Sequence, residues 1–274
     1  MRSRRGRQGS VLLQIAAWAR GGRTGSVALM DMGDGFSWPG HLGRLAGRRG
    51  GQALANFFAT GRRVSFARGD ALICDGDPAD CVYDVLEGEL IMARHGADGR
   101  RQVLGFIGRN NLLGVAAGAR FPFGAIAVAD GSALRYERRA VEGLVRADPD
   151  FAFAFVGALE TILETVQDHL YAIGQRSALE RVAAFLLHQR LWQARFGPDA
   201  PRSPRNRVEL PMSRRDIADF MGLTLETVSR CFTRLKRSGA IALPDPHAAD
   251  IRNLAQLREL AGARDFATNP VGMD

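Results

Sequence analysis

Within residues 225–238, Glu226, Ser229, Arg230, Thr233 and Arg237 return with the period of a helix. At about 100° per residue they share one side of it, and Val228, Phe232 and Leu235 share the other. The second side is suited to packing and leaves the first free. An arginine donates to guanine O6 and N7 together, a glutamate accepts from cytosine N4, and a serine hydroxyl serves either partner. The free side therefore has the chemistry to read base edges in a major groove, which a helix enters with its N-terminal half. A merely solvated, charged helix face would carry much the same residues. What separates the two readings is the frame around the helix.

That frame runs from Pro211 to Ala240. Ser213 stands where an N-cap belongs, with Asp216 three residues on and Ile217, Phe220 and Met221 behind it at helical spacing. Gly222 ends this first helix, Thr224 caps a second running from Leu225 to Ser238, and Gly239 stops it. Helix, three-residue turn and helix make a helix-turn-helix. Arg214 and Thr224, beside the two starts, join the exposed set as candidate DNA contacts. The whole string resembles the DNA-reading element of the Crp/Fnr superfamily of bacterial transcription regulators, and ETVSR at Glu226 to Arg230 is similar to its Fnr and FixK version. The resemblance implies that Glu226, Ser229 and Arg230 contact a TTGAT half-site.

The composition agrees with a polyanionic partner. The 274 residues suffice for two domains, and the formal net charge is +8. Residues 176–237 hold 13 basic against 6 acidic side chains and residues 1–63 hold 11 against 2, with a nearly balanced middle between them. Cationic side chains that neutralise phosphates release condensed counterions, so basic flanks around a neutral centre suit a sensor between DNA-facing parts. Lys236 is the one lysine, which points to a genome bias toward arginine before it points to mechanism.

Taken in order, residues 1–52 are rich in arginine and glycine and read as a disordered basic extension, or as the product of a start codon upstream of one near Met30 or Met32. Arg2, Arg4, Arg5 and Arg7 before the apolar stretch Val11 to Trp18 imitate an export signal, but Gln14 interrupts that stretch. Residues 53–148 carry a short helix at Ala53 to Thr60 and then strand candidates. These are Arg63 to Ala67, Ala71 to Cys74, Val82 to Leu86, Glu89 to Arg94, Arg101 to Ile107, Ala125 to Ala129 and Ala133 to Glu137, parted by glycines. Such spacing predicts an antiparallel roll. The strings GDPADCVYDVLEGEL (Gly76 to Leu90) and DGRRQVLGFIG (Asp98 to Gly108) resemble the cyclic-nucleotide-binding-like β-roll of the same superfamily.

Residues 149–175 turn helical, with Val156, Leu159, Leu163, Val166, Leu170 and Ile173 alternating by three and four as in a coiled coil. An amphipathic helix packed on its own domain shows a similar pattern; the resemblance implies dimerisation. Residues 176–262 then form the DNA-binding domain: a helix at Ser177 to Phe196, an exposed basic loop at Pro198 to Arg207, the helix-turn-helix, short wing strands at Ala240 to Leu243 and Asp250 to Asn253, and a last helix at Leu254 to Ala261. Residues 263–274 read as a tail. The fold class is α+β: a β-roll, a long dimerisation helix and a winged helix-turn-helix.

The signal is harder to read. A cyclic nucleotide needs a cation for its phosphate and an acceptor for its ribose, which the family supplies as a glutamate after a glycine and an Arg-Ser or Arg-Thr pair some ten residues on. Here Val115 follows Gly114, and Phe121, Pro122, Phe123, Gly124 and Ala125 stand where the pair belongs, with only Arg120 close by. Oxygen sensors of the Fnr type hold an iron-sulfur cluster through cysteines ahead of the roll; this chain has no cysteine before Cys74. Cys74, Cys81 and Cys231 form neither a disulfide framework nor a zinc pattern, and the histidines are scattered, though His95 keeps a haem sensor among the alternatives. A DNA-processing enzyme would need a nucleophile with a base, or clustered carboxylates, and neither is present. Cys231, following Arg230, invites a redox switch, but its place beside the packed side of the helix favours a small buried hydrophobe. The expectation is a non-enzymatic, cytoplasmic homodimer without cofactor or membrane segment, closest to FixK-type regulators, with a palindromic promoter and RNA polymerase as partners and oxygen limitation as its setting.

Overall fold

The computed structural model describes Phe57 and residues 60–115, 118–196 and 206–262, the side chains of 195 and 196 excepted. The expected extension 1–52 with its apolar stretch, most of the expected helix 53–60, the loop 198–205 and the tail 263–274 lie outside the described residues.

The N-terminal domain is an antiparallel roll of β1 (Arg62–Phe66), β2 (Ala71–Ile73), β3 (Cys81–His95), β4 (Arg101–Gly108), β5 (Leu112–Leu113) and β6 (Gly124–Glu137). The main path is β1-β6-β3-β4, with β2 on β6 and β5 on β3. Two pairs of expected strands are each one long strand. Glycine was the reason to part them, yet Gly88 and Gly131 oppose one another inside the β3–β6 ladder as a bulge. Gly88 has φ +86, and a Cβ there would stand 2.6 Å from the Asp130 carbonyl oxygen, so the residue bends the strand instead of ending it. Inside the roll Leu90, Leu113, Phe121, Phe123 and Ala125 are buried together.

A helix that the pattern does not announce, α1 (Arg138–Ala147), follows the roll and buries Val141 and Leu144. Then comes α2 (Pro149–Gln175), started by Pro149 and by the Asp148 side chain, which accepts from the Phe151 amide. At 27 residues it is about 40 Å long. The C-terminal domain opens with α3 (Ala178–Phe196). It continues with β7 (Arg207–Glu209), α4 (Arg214–Met221), α5 (Leu225–Arg237), β8 (Ile241–Ala242), β9 (Ala248–Ile251) and α6 (Leu254–Leu260). The wing has three strands in the order β7-β9-β8. Arg207, expected in an exposed loop, belongs to the first of them, where Val208 is fully buried between charged neighbours.

One core joins the two domains. Ile91, Ala93 and Val103 of the roll are buried in the same cluster as Leu186, Ile217, Met221, Phe232 and Leu235. Phe106 of β4 lies 5.7 Å from Phe185 and 5.1 Å from Phe220.

Candidate nucleic-acid interface

The first helix of the motif, α4, starts with a reciprocal capping box. Ser213 Oγ accepts from the Asp216 amide at 3.2 Å, and an Asp216 carboxylate oxygen accepts from the Ser213 amide at 2.8 Å. Gly222 closes the helix at φ 64, ψ 38, a left-handed turn that suits glycine. Three residues later α5 begins with Thr224 Oγ1 accepting from the Thr227 amide at 3.2 Å. Val228, Cys231, Phe232 and Leu235 are buried against the rest of the domain. Glu226, Ser229, Arg230, Thr233 and Arg237 are all exposed on the other side.

The exposed groups are chemically ready in different degrees. The amide of Glu226 itself and the Thr224 hydroxyl hold the Glu226 carboxyl below the usual glutamate value, so it stands ionised as an acceptor. Thr233 spends its hydroxyl proton on the Ser229 carbonyl at 3.0 Å and keeps only its lone pairs for another partner. Arg214 does not stand with this set. Its guanidinium lies 3.7 Å from the Phe232 ring centroid, burial pulls its pKa below the ordinary arginine value, and Nη1 is buried without a hydrogen-bond partner among the described residues. It braces the underside of α5 by a cation–π contact. Cys231 is 8% exposed; burial pushes its thiol up, against the smaller pull of Arg234 and Arg230. A raised thiol is a poor redox sensor, which favours the packing role.

Comparison with known proteins meets this geometry at both ends of the chain. Residues 180–260 match the model of the Crp-like helix-turn-helix domain, and residues 63–148 match that of the cyclic nucleotide-binding domain. The nitrogen fixation regulation protein FixK of Bradyrhizobium diazoefficiens is 37% identical over 190 residues, covering 69% of this chain and 78% of that protein. FixK of Azorhizobium caulinodans is 36% identical over 202 residues, covering 74% and 80%. The chain belongs to the Crp/Fnr family, in its FixK-type branch. The solved structure of FixK2 from Bradyrhizobium japonicum superposes with a TM-score of 0.66 at 30% identity, over 73% of this chain and 96% of that one. The chain is thus a DNA-binding transcription regulator built on the family's roll and winged helix-turn-helix.

In this regulator the described residues of the roll do not fit a cyclic nucleotide. Phe121 and Phe123, 2% and 8% exposed, fill the interior with rings 5.7 Å apart. Arg120, the nearby cation, donates outward to the Gly76 carbonyl at 2.6 Å. A Cβ at Gly114 would stand 2.8 Å from the Cys81 carbonyl oxygen and 3.5 Å from the Phe121 ring, so the backbone at residue 114 lies close against that filling.

The regulator's α2 carries the expected ladder on an open side. Val156, Leu159, Leu163, Val166 and Leu170 are exposed, and Phe153, Ile162 and Tyr171 with them. Ile173 is partly buried, at the hinge to α3, where Arg181 donates to the carbonyls of Ile173, Arg176 and Met221. The contacts that β4 makes with α4 have no sign in the sequence, because no local pattern reports a partner more than a hundred residues away, and Arg181 gives none of its bond to Met221, 40 residues on.

Proposed function

We propose that this regulator acts as a homodimer on palindromes of TTGAT half-sites, with α2 pairing to its copy and one α5 entering each of two successive major grooves about a helical turn apart. Glu226, Ser229 and Arg230 read the bases; Thr224, Thr233 and Arg237 support them, and Arg214 does so indirectly through Phe232. The reading assigns residues 53–148 to a sensor-like roll, 149–175 to dimerisation and 176–262 to DNA, between a basic extension and a tail. The observation that carries it is the exposed polar side of α5, with an ionised acceptor at Glu226 one helical turn from the donor fork of Arg230. Five apolar side chains exposed at three- and four-residue intervals along α2 support the dimer, since water-exposed ladders of that kind are what a second helix covers.

The similar FixK proteins are nitrogen fixation regulators by name, and the similar FnrL of Cereibacter sphaeroides is a transcriptional activator by name. Those names support a regulator that works with RNA polymerase in metabolic control; oxygen limitation as its setting and the cytoplasm as its place belong to the proposal. No helix among the described residues is long and apolar enough to cross a membrane. Selection of bound DNA from a random pool by the purified full chain tests the proposal. A recovered palindrome with TTGAT arms supports it, and recovery of single arms or of unrelated sequences refutes it.

A further inference from the structure

The motif helix α4 is gripped from outside its own domain. Arg101, at the start of β4, donates from Nη2 to Asp216 and from Nε to Asp219 Oδ2 at 2.9 Å. Beside it Gln102 Nε2 donates to the Asp219 carbonyl at 2.6 Å and the Phe220 carbonyl at 3.4 Å. The two carboxylates are 13% and 16% exposed at their side chains, and Arg101 is 28% exposed, so the contact is largely shielded from water and from salt. From the other side His169 of α2 stacks on Phe220 at 4.0 Å, and Arg181 holds the Met221 carbonyl at 3.0 Å. The first helix of the motif is thus pinned both to the roll and to the end of α2, while the base-reading side of α5 stays open.

We infer that Arg101, through Asp216 and Asp219, is the positioning residue that fixes the direction of each recognition helix against the dimer axis, and so sets which spacing between half-sites the regulator accepts. The inference rests on the dimeric reading above. A capping carboxylate such as Asp216 needs no second cation to start its helix, because Ser213 already completes the box; the arginine adds orientation, not helix formation. Asp219 also pairs with the exposed Arg215 at 3.4 Å, but that contact lies within α4 and fixes nothing outside it; the Arg101 fork, reaching both carboxylates from the roll, fixes an angle as well as a distance. If release lets α4 and α5 swing so that about one conformer in ten keeps both readers aligned, affinity at the preferred spacing falls about tenfold. At other spacings the swing costs nothing and discrimination collapses.

The test is the affinity of the full chain for palindromes with the preferred central spacer and with that spacer changed by one or two base pairs, at fixed salt. Arg101→Ala and Asp219→Asn are compared with the parent, with thermal melting and light scattering showing that each is folded and dimeric. The expected result is a loss of about tenfold at the preferred spacing with unchanged binding elsewhere. A loss of the same size at every spacing makes Arg101 an electrostatic or structural residue and overturns the inference, as does no loss in either variant. Should Arg101→Ala not fold, Asp219→Asn decides, because it leaves the capping box intact. A parent indifferent to spacing sinks the dimeric reading and the inference together, whereas a parent with a sharp optimum and variants that keep it sink the inference alone.

Discussion

Arg230 stands one turn beyond Glu226 on the exposed side of α5, with nothing of its own domain laid over it. Its fork is therefore available to a base edge, and Arg230→Ala is expected to weaken binding to a TTGAT-type palindrome by about 1 to 3 kcal/mol per half-site and to relax preference at the G·C pair. Titration with specific and random duplexes checks this; equal losses on both would leave Arg230 a phosphate contact. A second residue speaks to stability. Glu89 shares a face of β3 with Ile91 and Ala93, has no partner for Oε1 among the described residues, and is pushed by burial up to about 7. The folded chain thus keeps a proton that the unfolded chain releases near the ordinary 4.5. Below that value the group adds nothing to the pH dependence; as pH rises through about 7 the folded state loses ground, and above it the full penalty is in place. Glu89→Gln is expected to melt in urea like the parent near pH 4.5 and to be more stable by about 2 to 3 kcal/mol near pH 8. A gap that stays constant across that range would mean that the carboxyl has found a partner.

At the scale of elements, the ladder of α2 predicts what happens when charge enters it. Leu163→Glu with Leu170→Glu places two carboxylates per chain where a paired helix would leave them unpartnered, and light scattering of the folded variant is expected to give a monomer. A persisting dimer would put the seam elsewhere. This ladder was legible in the sequence because a single helix carries the whole signal, and so were α4 and α5, whose caps at Ser213 and Thr224 and stops at Gly222 and Gly239 are all local. What was not legible depends on distant partners. Gly88 reads as a break until Gly131 is known to lie opposite. β7 is three residues long and becomes a strand only because β9 offers its edge. The helix α1 shows just two buried apolar residues, and its N-cap Glu137 makes no side-chain cap. Arg214 sits where an exposed contact is expected, but the aromatic ring of Phe232 claims it.

Across the whole molecule the roll and the DNA-binding domain do not behave as beads on a string, because Ile91, Ala93 and Val103 share a core with the helix-turn-helix. The contact between Gly108 at the end of β4 and Trp192 of α3 makes that testable without touching any residue that faces DNA. A Cβ on Gly108 would stand 2.7 Å from Trp192 Cζ2, backed by the indole ring, so no small shift makes room. Gly105, on the same strand, meets nothing nearer than Met92 Cε at 3.9 Å, and its substitution serves as the control. Gly108→Val is expected to lower stability by about 1 to 3 kcal/mol through overpacking. Because α3 is pushed off β4, it is also expected to expose Trp192 to water and to weaken specific DNA binding, although residue 108 belongs to the roll. Gly105→Ala is expected to change none of the three. Urea melts followed by far-ultraviolet dichroism and by indole fluorescence would report the first two, and titration with the selected palindrome the third. If Gly108→Val loses stability while DNA affinity holds, the shared core is a matter of folding alone, and the orientation of the reader rests on the polar contacts that Arg101 and Arg181 make with α4.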